Sequence, residues 1–254
     1  MNTNKRPSPE VIEALYELGV DAVTTTMDGL GVRRTFMQGP QIRIPGSKIV
    51  GPAITLRFVP NREDKIKGFK LPGADGEGIA EEEEAEKKSA LWEIMYHVQP
   101  GDVLVAEQRG DIATGVVGEM LATYFKARGG IGIVTDGCVR DSKMISEEVG
   151  LPCWTTSLTT GGASHMNLYP LDFNLPIGCG KVLVEPGDII MADNGGAIVV
   201  PPVLLPAILE KAGAKEEREI FIRMKLREGG EMKKYYPLNE EGQKEYEEWL
   251  VARQ

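Results

Sequence analysis

Strand and helix patterns alternate between residues 100 and 150, and this alternation limits the architectures open to the chain. The segment PGDVLVAE (100–107) contains an apolar run typical of a buried strand. The next segment, GVVGEMLATYFKARGG (115–130), has apolar residues at helical spacing and a double glycine that ends the predicted helix. IGIVTDG (131–137) then indicates a second buried strand, and a further helix begins at Asp141 or Ser142. Strands that alternate with helices predict an α/β layer.

The flanking segments predict helices at both ends and short strands between them. Two short helices are expected before residue 31. β-Branched residues and Pro-Gly turns predict short strands over 42–59, and turns rich in Gly, Pro and Asp predict further short strands of a barrel or sandwich over 177–200. From Pro206 the sequence is helical and charged. Since no repeat or low-complexity linker divides the chain, we predict one domain over residues 1–254.

Two segments depart from this regular pattern. Residues 61–92 have few large apolar side chains and include four consecutive glutamates. Such a charge run predicts a solvated surface insertion, with a lid over an active site as the alternative. The second segment is a helical extension from about residue 230 to the C-terminus.

The charge balance limits the kinds of partner. The 254 residues include 38 acidic and 29 basic side chains, which gives a net charge of −9. This charge disfavours broad contact with nucleic acid or with anionic lipid. No apolar run approaches the ~18 residues of a membrane span, and the first twenty residues lack the features of a signal peptide.

Cysteine and histidine content bears on the compartment and on metal chemistry. Cys138, Cys153 and Cys179 are widely spaced and form no CxxC pair, so we expect reduced thiols in a cytoplasmic protein. Because His97 and His165 are the only histidines, a histidine-based zinc site is improbable. A metal would be held mainly by oxygen ligands.

Common catalytic motifs are missing from the sequence. There is no GxSxG nucleophile motif and no GxxxxGK[ST] phosphate loop. The segment GCGKVL (178–183) has two glycines of a dinucleotide fingerprint, but it lacks the third and leads into a strand. A nucleotide-dependent dehydrogenase or methyltransferase is therefore disfavoured.

The most informative pattern is Gly118-Glu119 followed, after twenty intervening residues, by Arg140-Asp141. Glu119 falls near the start of a predicted helix, and Arg140 and Asp141 fall just beyond a strand, where open α/β sheets bind ligands. Free N–H groups at the helix start and the Arg140 guanidinium suit a carboxylate. The two acidic side chains suit Mg²⁺ or Mn²⁺. Together these groups predict a site for a 2-oxo acid and its enolate.

Each of these residues also has a simpler interpretation. Asp141 is a typical helix N-cap, and Glu119 suits the first turn of any helix. Arg140 is equally suited to a surface ion pair. Asp136 is expected to form a turn, and His165 to be a polar loop residue. The spacing by itself leaves these alternatives open.

A longer stretch carries a family resemblance. GEMLATYFKARGGIGIVTDGCVRD (118–141) resembles the signature of the RraA-like family, which includes class II 4-hydroxy-4-methyl-2-oxoglutarate/4-carboxy-4-hydroxy-2-oxoadipate aldolases. The segments TTTMDGLG, VGPAITLRF, PGDVLVAE and VEPGDIIMADNGGAIVVPP are similar to other family segments and follow the same order. The resemblance covers roughly residues 20–60 and 93–229.

The resemblance implies a fold, an assembly and a set of site residues. It implies an α/β protein with a swivelling β/β/α domain and N- and C-terminal helices, in trimers or hexamers whose sites lie at subunit interfaces. By this resemblance Arg140 contacts pyruvate, Asp141 ligates Mg²⁺ or Mn²⁺, and Glu119 supports metal-bound water in place of an expected aspartate. The implied pyruvate carboxylate site consists of the backbone amides of Gly118, Glu119, Met120 and Leu121. A carboxylate from a neighbouring subunit joins the outer shell of the metal; Glu219 matches best, with Glu216 as second choice.

The expected activity is a metal-dependent carbon–carbon lyase. It would cleave a 4-hydroxy-2-oxo acid to pyruvate by a retro-aldol reaction, with water held by Glu119 as the base and oxaloacetate decarboxylation as a side activity. One alternative is a non-catalytic regulator that binds a ribonuclease, as some members of the family do. Another is a hydratase or decarboxylase of a different acid on the same scaffold.

Overall fold

The computed structural model describes residues 6–62, 89–162 and 167–253. Most of the predicted insertion, residues 63–88, lies outside the described residues, as does His165. The predictions of a solvated insertion or a lid over these residues, and of a polar loop histidine, are therefore not addressed by the structure. The predicted end of the insertion at residue 92 is wrong, because a helix begins at Ala90, and Ala90 and Leu91 are buried in the core.

Ten strands and eight α-helices form the described part of the chain. The strands are β1 (Gln41–Ile42), β2 (Ile49–Pro60), β3 (Val103–Glu107), β4 (Gly132–Val139), β5 (Cys153–Leu158), β6 (Leu168–Phe173), β7 (Ile177–Cys179), β8 (Val182–Val184), β9 (Ile189–Asp193) and β10 (Gly196–Val200). The helices are α1 (Pro9–Glu17), α2 (Val20–Gly29), α3 (Ala90–His97), α4 (Glu119–Ala127), α5 (Ser142–Met144), α6 (Leu205–Arg227), α7 (Met232–Tyr235) and α8 (Glu240–Val251). A π-helical turn (Ile145–Val149) extends α5, and a 3₁₀ turn (Pro202–Leu204) precedes α6.

Eight of the strands form one barrel-like sheet. Its order is β1-β5-β4-β3-β2-β9-β10, and β6 also pairs with β2. Strands β2, β3, β4 and β5 are parallel to one another, whereas β1, β6, β9 and β10 pair in the antiparallel direction. Strands β7 and β8 form a separate hairpin. The predicted α/β class, with helices at both ends of the chain, is confirmed.

The continuous apolar runs of the parallel strands arise because both faces of the sheet are covered. On β3, Leu104 and Ala106 pack with helices α3 and α4 in one core cluster, whereas Val103 and Val105 belong to a second cluster inside the barrel. Side chains alternate between the two faces of a strand, so a strand buried on both faces needs apolar residues at every position. A third cluster joins α1, α2 and the start of α6 to β9 and β10.

Three local predictions are corrected by the structure. The predicted short strands over 42–59 are mostly one long strand, β2, in which Pro52 lies where the partner changes from β9 to β3. The predicted helix over 115–128 begins only at Glu119, because Gly115 bridges to β4 at Cys138. Asp136 is not in a turn: it lies within β4, at an irregularity in the pairing with β5.

No helix among the described residues is both long and apolar enough to cross a membrane.

The crossing of β2 with the turn before β3 leaves no space for a side chain at Gly51. A Cβ at this position would lie 2.1 Å from the backbone oxygen of Gly101 and 2.9 Å from Cδ1 of Ile131. We expect Gly51→Ala to lower the free energy of unfolding by about 1–3 kcal/mol or more, as overpacking does. Urea denaturation measures this change. Gly178→Ala is the matched strand control, because no atom lies within 4 Å of its added Cβ; equal stability of the two variants would contradict the prediction.

Candidate active site

Arg140 and Asp141 lie directly beyond the carboxyl end of β4. The backbone N–H of Arg140 donates to the carbonyl oxygen of Val117 at 3.1 Å, which fixes the strand end against the segment that leads into α4. Asp141 has left-handed backbone angles (φ 55°, ψ 31°), and α5 begins at the next residue. The chain therefore turns sharply at Asp141, and this turn determines the direction of the Asp141 side chain.

The Asp141 carboxylate faces the start of α4. Its Oδ2 atom accepts a hydrogen bond from the backbone N–H of Glu119 at 3.3 Å and lies 3.4 Å from Nε of Arg140. Although Asp141 occupies the N-cap position of α5, its side chain makes no capping hydrogen bond there. The simple interpretation of Asp141 as a helix cap is therefore wrong, and Arg140 pairs with Asp141 itself.

Gly118 allows the close approach of these elements. A Cβ at Gly118 would lie 2.5 Å from Nε of Arg140 and 2.7 Å from Oδ2 of Asp141. Gly118 is the N-cap of α4 and makes no side-chain cap. Apart from the Glu119 amide, which donates to Asp141, the first amides of this nine-residue helix are therefore available to a ligand. Arg140 and Asp141 thus occupy the space that a side chain at Gly118 would fill.

The loop from β3 to α4 is tied to β4 by a buried glutamine. The Gln108 side chain, fully buried, accepts hydrogen bonds from the Thr135 hydroxyl (2.6 Å) and from the backbone N–H of Cys138 (2.9 Å). Its amide nitrogen donates to the carbonyl oxygen of Thr114. The backbone N–H of Gln108 donates to Asp136 Oδ1 at 2.7 Å. Asp136 therefore helps to hold the loop and takes no direct part in the site.

Asp111 holds the other side of the same loop. Its Oδ1 accepts hydrogen bonds from the backbone N–H groups of Ala113 (2.9 Å) and Thr114 (2.7 Å), and Oδ2 accepts one from Asn167 Nδ2 (2.9 Å). Burial raises the pKa of Asp111, but these hydrogen bonds outweigh burial and leave the pKa below its usual value. An ionised Asp111 therefore keeps the loop in place.

Residues 159–162 form a third wall of the site. Gly115 donates its backbone N–H to the carbonyl oxygen of Gly161 at 3.0 Å, and the Thr159 hydroxyl donates to Ala113 at 3.1 Å. A Cβ at Gly162 would lie 3.6 Å from Nη1 of Arg140. The Arg140 guanidinium thus lies between α4 on one side and this glycine-rich segment on the other.

The remaining predicted residues differ in their placement. Glu119 is half-buried at the first position of α4, and Met120 is 68% exposed beside it. Glu219 lies on α6, where it pairs with Lys215 at 3.7 Å, and Glu216 lies on the same helix. Within the described chain, no hydrogen bond or ion pair links Glu219 to Arg140 or Asp141. Its contribution from a neighbouring subunit stays a prediction.

The donor chemistry fits a hard divalent cation. In the described part of the chain, Oδ1 of Asp141 accepts no hydrogen bond, and the Glu119 carboxylate makes none. Asp141 is 41% exposed and therefore accessible to a ligand. Among the described residues no three Asp, Glu, His or Cys side chains form a metal-binding group. Mg²⁺ commonly binds through one or two carboxylates and keeps several waters, so the two carboxylates at this site suit it.

Sequence reasoning missed the residues that support the site. Gln108 gave no signal, because its partners lie 27 and 30 residues further along the chain. Asp111 did give a signal, because an aspartate in a loop commonly accepts hydrogen bonds from backbone N–H groups two or three residues further along, as in an Asx turn. Gly118 was predicted only as a source of a backbone amide, whereas its missing side chain is equally important.

Comparison with known proteins gives a family match over most of the chain and shorter matches to curated relatives. The family model RraA-like, described as Aldolase/RraA, matches residues 9–199. A protein of Halalkalibacterium halodurans named "Putative 4-hydroxy-4-methyl-2-oxoglutarate aldolase" is 32% identical over 127 residues, which are 50% of this chain and 59% of that protein. An uncharacterised protein of Methanocaldococcus jannaschii is 33% identical over 132 residues, 51% of this chain and 62% of that protein. The chain thus spans about three-fifths of the length of these relatives.

Solved structures give longer matches. RraAS2 of Streptomyces coelicolor, described as an unusual member of the RNase ES inhibitor RraA protein family, is 37% identical with a TM-score of 0.75. The match covers 87% of this chain and 98% of that one. An uncharacterised protein of Pseudomonas syringae shares the fold, with 20% identity, a TM-score of 0.74, and coverage of 90% of this chain and 93% of that one. The match of the family model over three-quarters of the sequence leads to the conclusion that this chain belongs to the RraA-like family.

Proposed function

We propose that this chain is a divalent-metal-dependent carbon–carbon lyase that cleaves a 4-hydroxy-2-oxo acid to pyruvate. The observation that carries the proposal is the position of Arg140 and Asp141 against the first turn of α4. Asp141 Oδ2 lies 3.3 Å from the Glu119 amide and 3.4 Å from Arg140 Nε. The Arg140 guanidinium, the remaining free amides of the helix start and two carboxylates thus share one exposed site.

The 2-oxo acid end of the substrate binds to positive groups. The predicted amides for its carboxylate are those of Gly118, Glu119, Met120 and Leu121 at the start of α4, where the helix dipole favours an anion. Since the Glu119 amide already donates to Asp141, the substrate carboxylate accepts hydrogen bonds from the other three. The Arg140 guanidinium, 45% exposed, contacts the 2-oxo group. Because its donors are held before the reaction begins, Arg140 stabilises the charge that develops on the enolate oxygen.

Asp141 would hold Mg²⁺ or Mn²⁺, with Glu119 and a neighbouring subunit's Glu219 acting through water in its outer shell. When bound, the metal would act as a Lewis acid on the 2-oxo group. In the retro-aldol step the C4 hydroxyl loses its proton, the C3–C4 bond breaks, and its electron pair forms the enolate of pyruvate. Glu119 takes up the hydroxyl proton through a water that it holds. The C4 carbon leaves as a carbonyl compound, and protonation of the enolate at C3 gives pyruvate.

The names of several relatives support an aldolase at the level of the family. Proteins of Halalkalibacterium halodurans and Azotobacter vinelandii that are 32% identical carry this activity in their names. Decarboxylation of oxaloacetate passes through the same enolate and needs no proton acceptor at C4. It is therefore expected as a side activity of the same residues.

We also propose a homo-oligomer, a trimer or hexamer, with this site at the interface. An exposed strip on α3 and α4 supports it: Trp92, Tyr96, Met120 and Tyr124 are 50%, 61%, 68% and 39% exposed. The rings of Tyr96 and Tyr124 contact each other edge to face at 6.0 Å, so the strip is continuous. Aromatic residues and Met are enriched in interface cores. Since Met120 adjoins Glu119, a subunit that covers the strip would also border the site.

Arg140→Ala and Asp141→Ala should each abolish most pyruvate release. Removal of a preorganised donor to a developing oxyanion typically costs ~10²–10³ in turnover, and loss of Asp141 removes the proposed metal ligand. Pyruvate release from 4-hydroxy-4-methyl-2-oxoglutarate and oxaloacetate is measured with Mg²⁺, with Mn²⁺ and with EDTA. Lys143→Ala is the matched control, because this exposed cation lies two residues beyond Asp141 and pairs only loosely with Glu147 at 3.9 Å.

The assay separates the proposal from its rivals on the same scaffold. Metal-dependent release that disappears in both variants supports the lyase. Metal binding that requires Asp141, without release from either acid, instead favours a hydratase or decarboxylase of another acid. Absence of both metal binding and release contradicts an enzymatic site at Asp141.

Gly118→Ala should inactivate the site without unfolding the protein. The added Cβ would displace Nε and Cγ of Arg140 and Oδ2 of Asp141. Both side chains are partly exposed and can move aside, so we expect the free energy of unfolding to change by no more than about 1 kcal/mol. The rate of pyruvate release should fall at least ~10²-fold, the loss expected when one preorganised donor to the oxyanion is removed. Gly29→Ala, with no atom within 4 Å of its added Cβ, is the control. Full activity of Gly118→Ala would show that the close approach is not required.

A non-catalytic regulator of a ribonuclease is the second candidate. It is favoured by the match to RraAS2 of Streptomyces coelicolor, at 37% identity over 98% of that chain. The net charge of −9 also suits a basic protein surface. In this case the purified chain should slow RNA cleavage by an RNase E-type enzyme, and Asp141→Ala should inhibit equally well. Inhibition that requires Asp141, or none at all, would speak against this role.

A further inference from the structure

Helix α6 joins two hydrophobic cores that share no residue. Its first part contributes Leu205, Ile208 and Ala212 to the cluster against α1, α2 and the sheet. Its last part contributes Phe221 and Ile222 to a second cluster. We refer to residues 221–253, which contain the end of α6 together with α7 and α8, as the C-terminal arm.

The C-terminal arm has an aromatic core of its own. Phe221 lies at ring-centroid distances of 6.1 Å from Tyr235, 5.5 Å from Tyr246 and 5.5 Å from Trp249. Phe221 is fully buried, and Tyr235 and Tyr246 are buried beside it. Such rings contribute strongly to cohesion through their area and their mutual geometry. The three helices of the arm therefore form one packed unit.

A carboxylate fastens these three helices together. Glu245 on α8 accepts a hydrogen bond from the Tyr235 hydroxyl at 2.8 Å and pairs with Lys234 at 2.8 Å and Lys225 at 3.2 Å. Hydrogen bonds from Lys234, Tyr235 and Lys225 lower the pKa of Glu245 to about 2. The carboxylate therefore stays ionised at neutral pH and links α6, α7 and α8.

The bridging segment, residues 213–220 of α6, has no such support. None of its described side chains is buried, and Ile220 is 42% exposed. Within the described chain, no hydrogen bond or ion pair joins the arm to residues 6–212. Among the described residues, the side-chain contacts of this segment are the Lys215–Glu219 pair and the Arg218 guanidinium, which lies over the Tyr246 ring of the arm at 5.5 Å. Both contacts lie on the arm side of Gly213, and neither ties the segment to the barrel.

The bridging segment begins with a glycine that packing does not require. Among the described residues outside the helix's own backbone, no atom lies within 4 Å of a Cβ built at Gly213, and its φ is in the ordinary helical range. Glycine within a helix costs roughly 1 kcal/mol relative to alanine, and glycine is one of the usual sites of helix bending. Elsewhere in this fold, as at Gly51, a glycine is required by close backbone contact.

We propose that Gly213 is a hinge about which the C-terminal arm moves as one body relative to the barrel. The arm keeps its internal geometry through its aromatic core and Glu245, while the bridging segment bends. One consequence rests on the proposed function: Glu219 lies on the bridging segment, so bending at Gly213 would move this carboxylate. The hinge itself depends only on the packing of α6.

Distances between spin labels test the hinge directly. Leu183→Cys on β8 places a label on the hairpin whose Val182 and Val184 pack into the core of the barrel, and Lys244→Cys on α8 places one on the arm. Met232→Cys with Lys244→Cys places both labels within the arm. Leu183 and Met232 are 63% and 60% exposed, and Lys244 is exposed. Burial raises the pKa of all three native thiols, to about 11 for Cys138 and about 12 for Cys153, so they remain unreactive. Labelled chains are diluted with unlabelled ones to exclude distances between subunits.

We expect a broad barrel-to-arm distance distribution and a narrow one within the arm. Gly213→Ala should narrow the barrel-to-arm distribution, whereas Glu217→Ala, a control at an exposed position of the same segment, should leave its width unchanged. A barrel-to-arm distribution as narrow as that within the arm would overturn the proposal, as would an unchanged width in Gly213→Ala or a broad distribution within the arm. Because no substrate is present, failure of the lyase proposal would not affect this result.

Discussion

The attachment of the β3–α4 loop to the end of β4 is the constraint on which the candidate site depends. Gln108 is wholly buried and bonds to Thr114, Thr135 and Cys138, so every polar atom of its amide is used within the fold. A buried polar group without such partners would be costly, which makes this arrangement of the loop strongly preferred over others. The loop in turn carries Gly118 to Arg140 and Asp141. The site is thus built from two chain segments whose relative position is fixed before any ligand binds.

This arrangement explains the unusual backbone of Asp141. A non-glycine residue with positive φ is uncommon, although aspartate tolerates this conformation better than most residues. Here the left-handed turn takes the carboxylate away from α5, which it would otherwise cap, and places it at the amide of Glu119. A helix cap is thereby lost, and the carboxylate becomes accessible at the edge of the sheet. Local strain at a site of this kind is commonly retained for function.

Much of the fold and part of the site follow from local sequence patterns. Residues 103–106 form one apolar run, and such a run is enough to predict a strand that is covered on both faces. In the structure Val103 and Val105 face one core cluster, and Leu104 and Ala106 face the other. The twenty residues between Glu119 and Arg140 correspond to one helix and one strand, so the spacing alone predicts that the two ends meet. The partners of Gln108 and the extent of β2 depend on contacts between distant segments, which periodicity does not encode. The proposed contribution of Glu219 from a neighbouring subunit would depend on assembly, which local patterns do not encode either.

The glycines of the chain distinguish its rigid parts from the part that we propose to bend. At Gly118 an added Cβ would meet Arg140 and Asp141, so the absence of a side chain is what permits the contact. At Gly213 an added Cβ would meet nothing, so the glycine lowers helix stability with no gain in packing. The two positions have the same residue type for opposite physical reasons. If the hinge operates, the chain combines a candidate site preorganised by close packing with a C-terminal arm whose position stays adjustable.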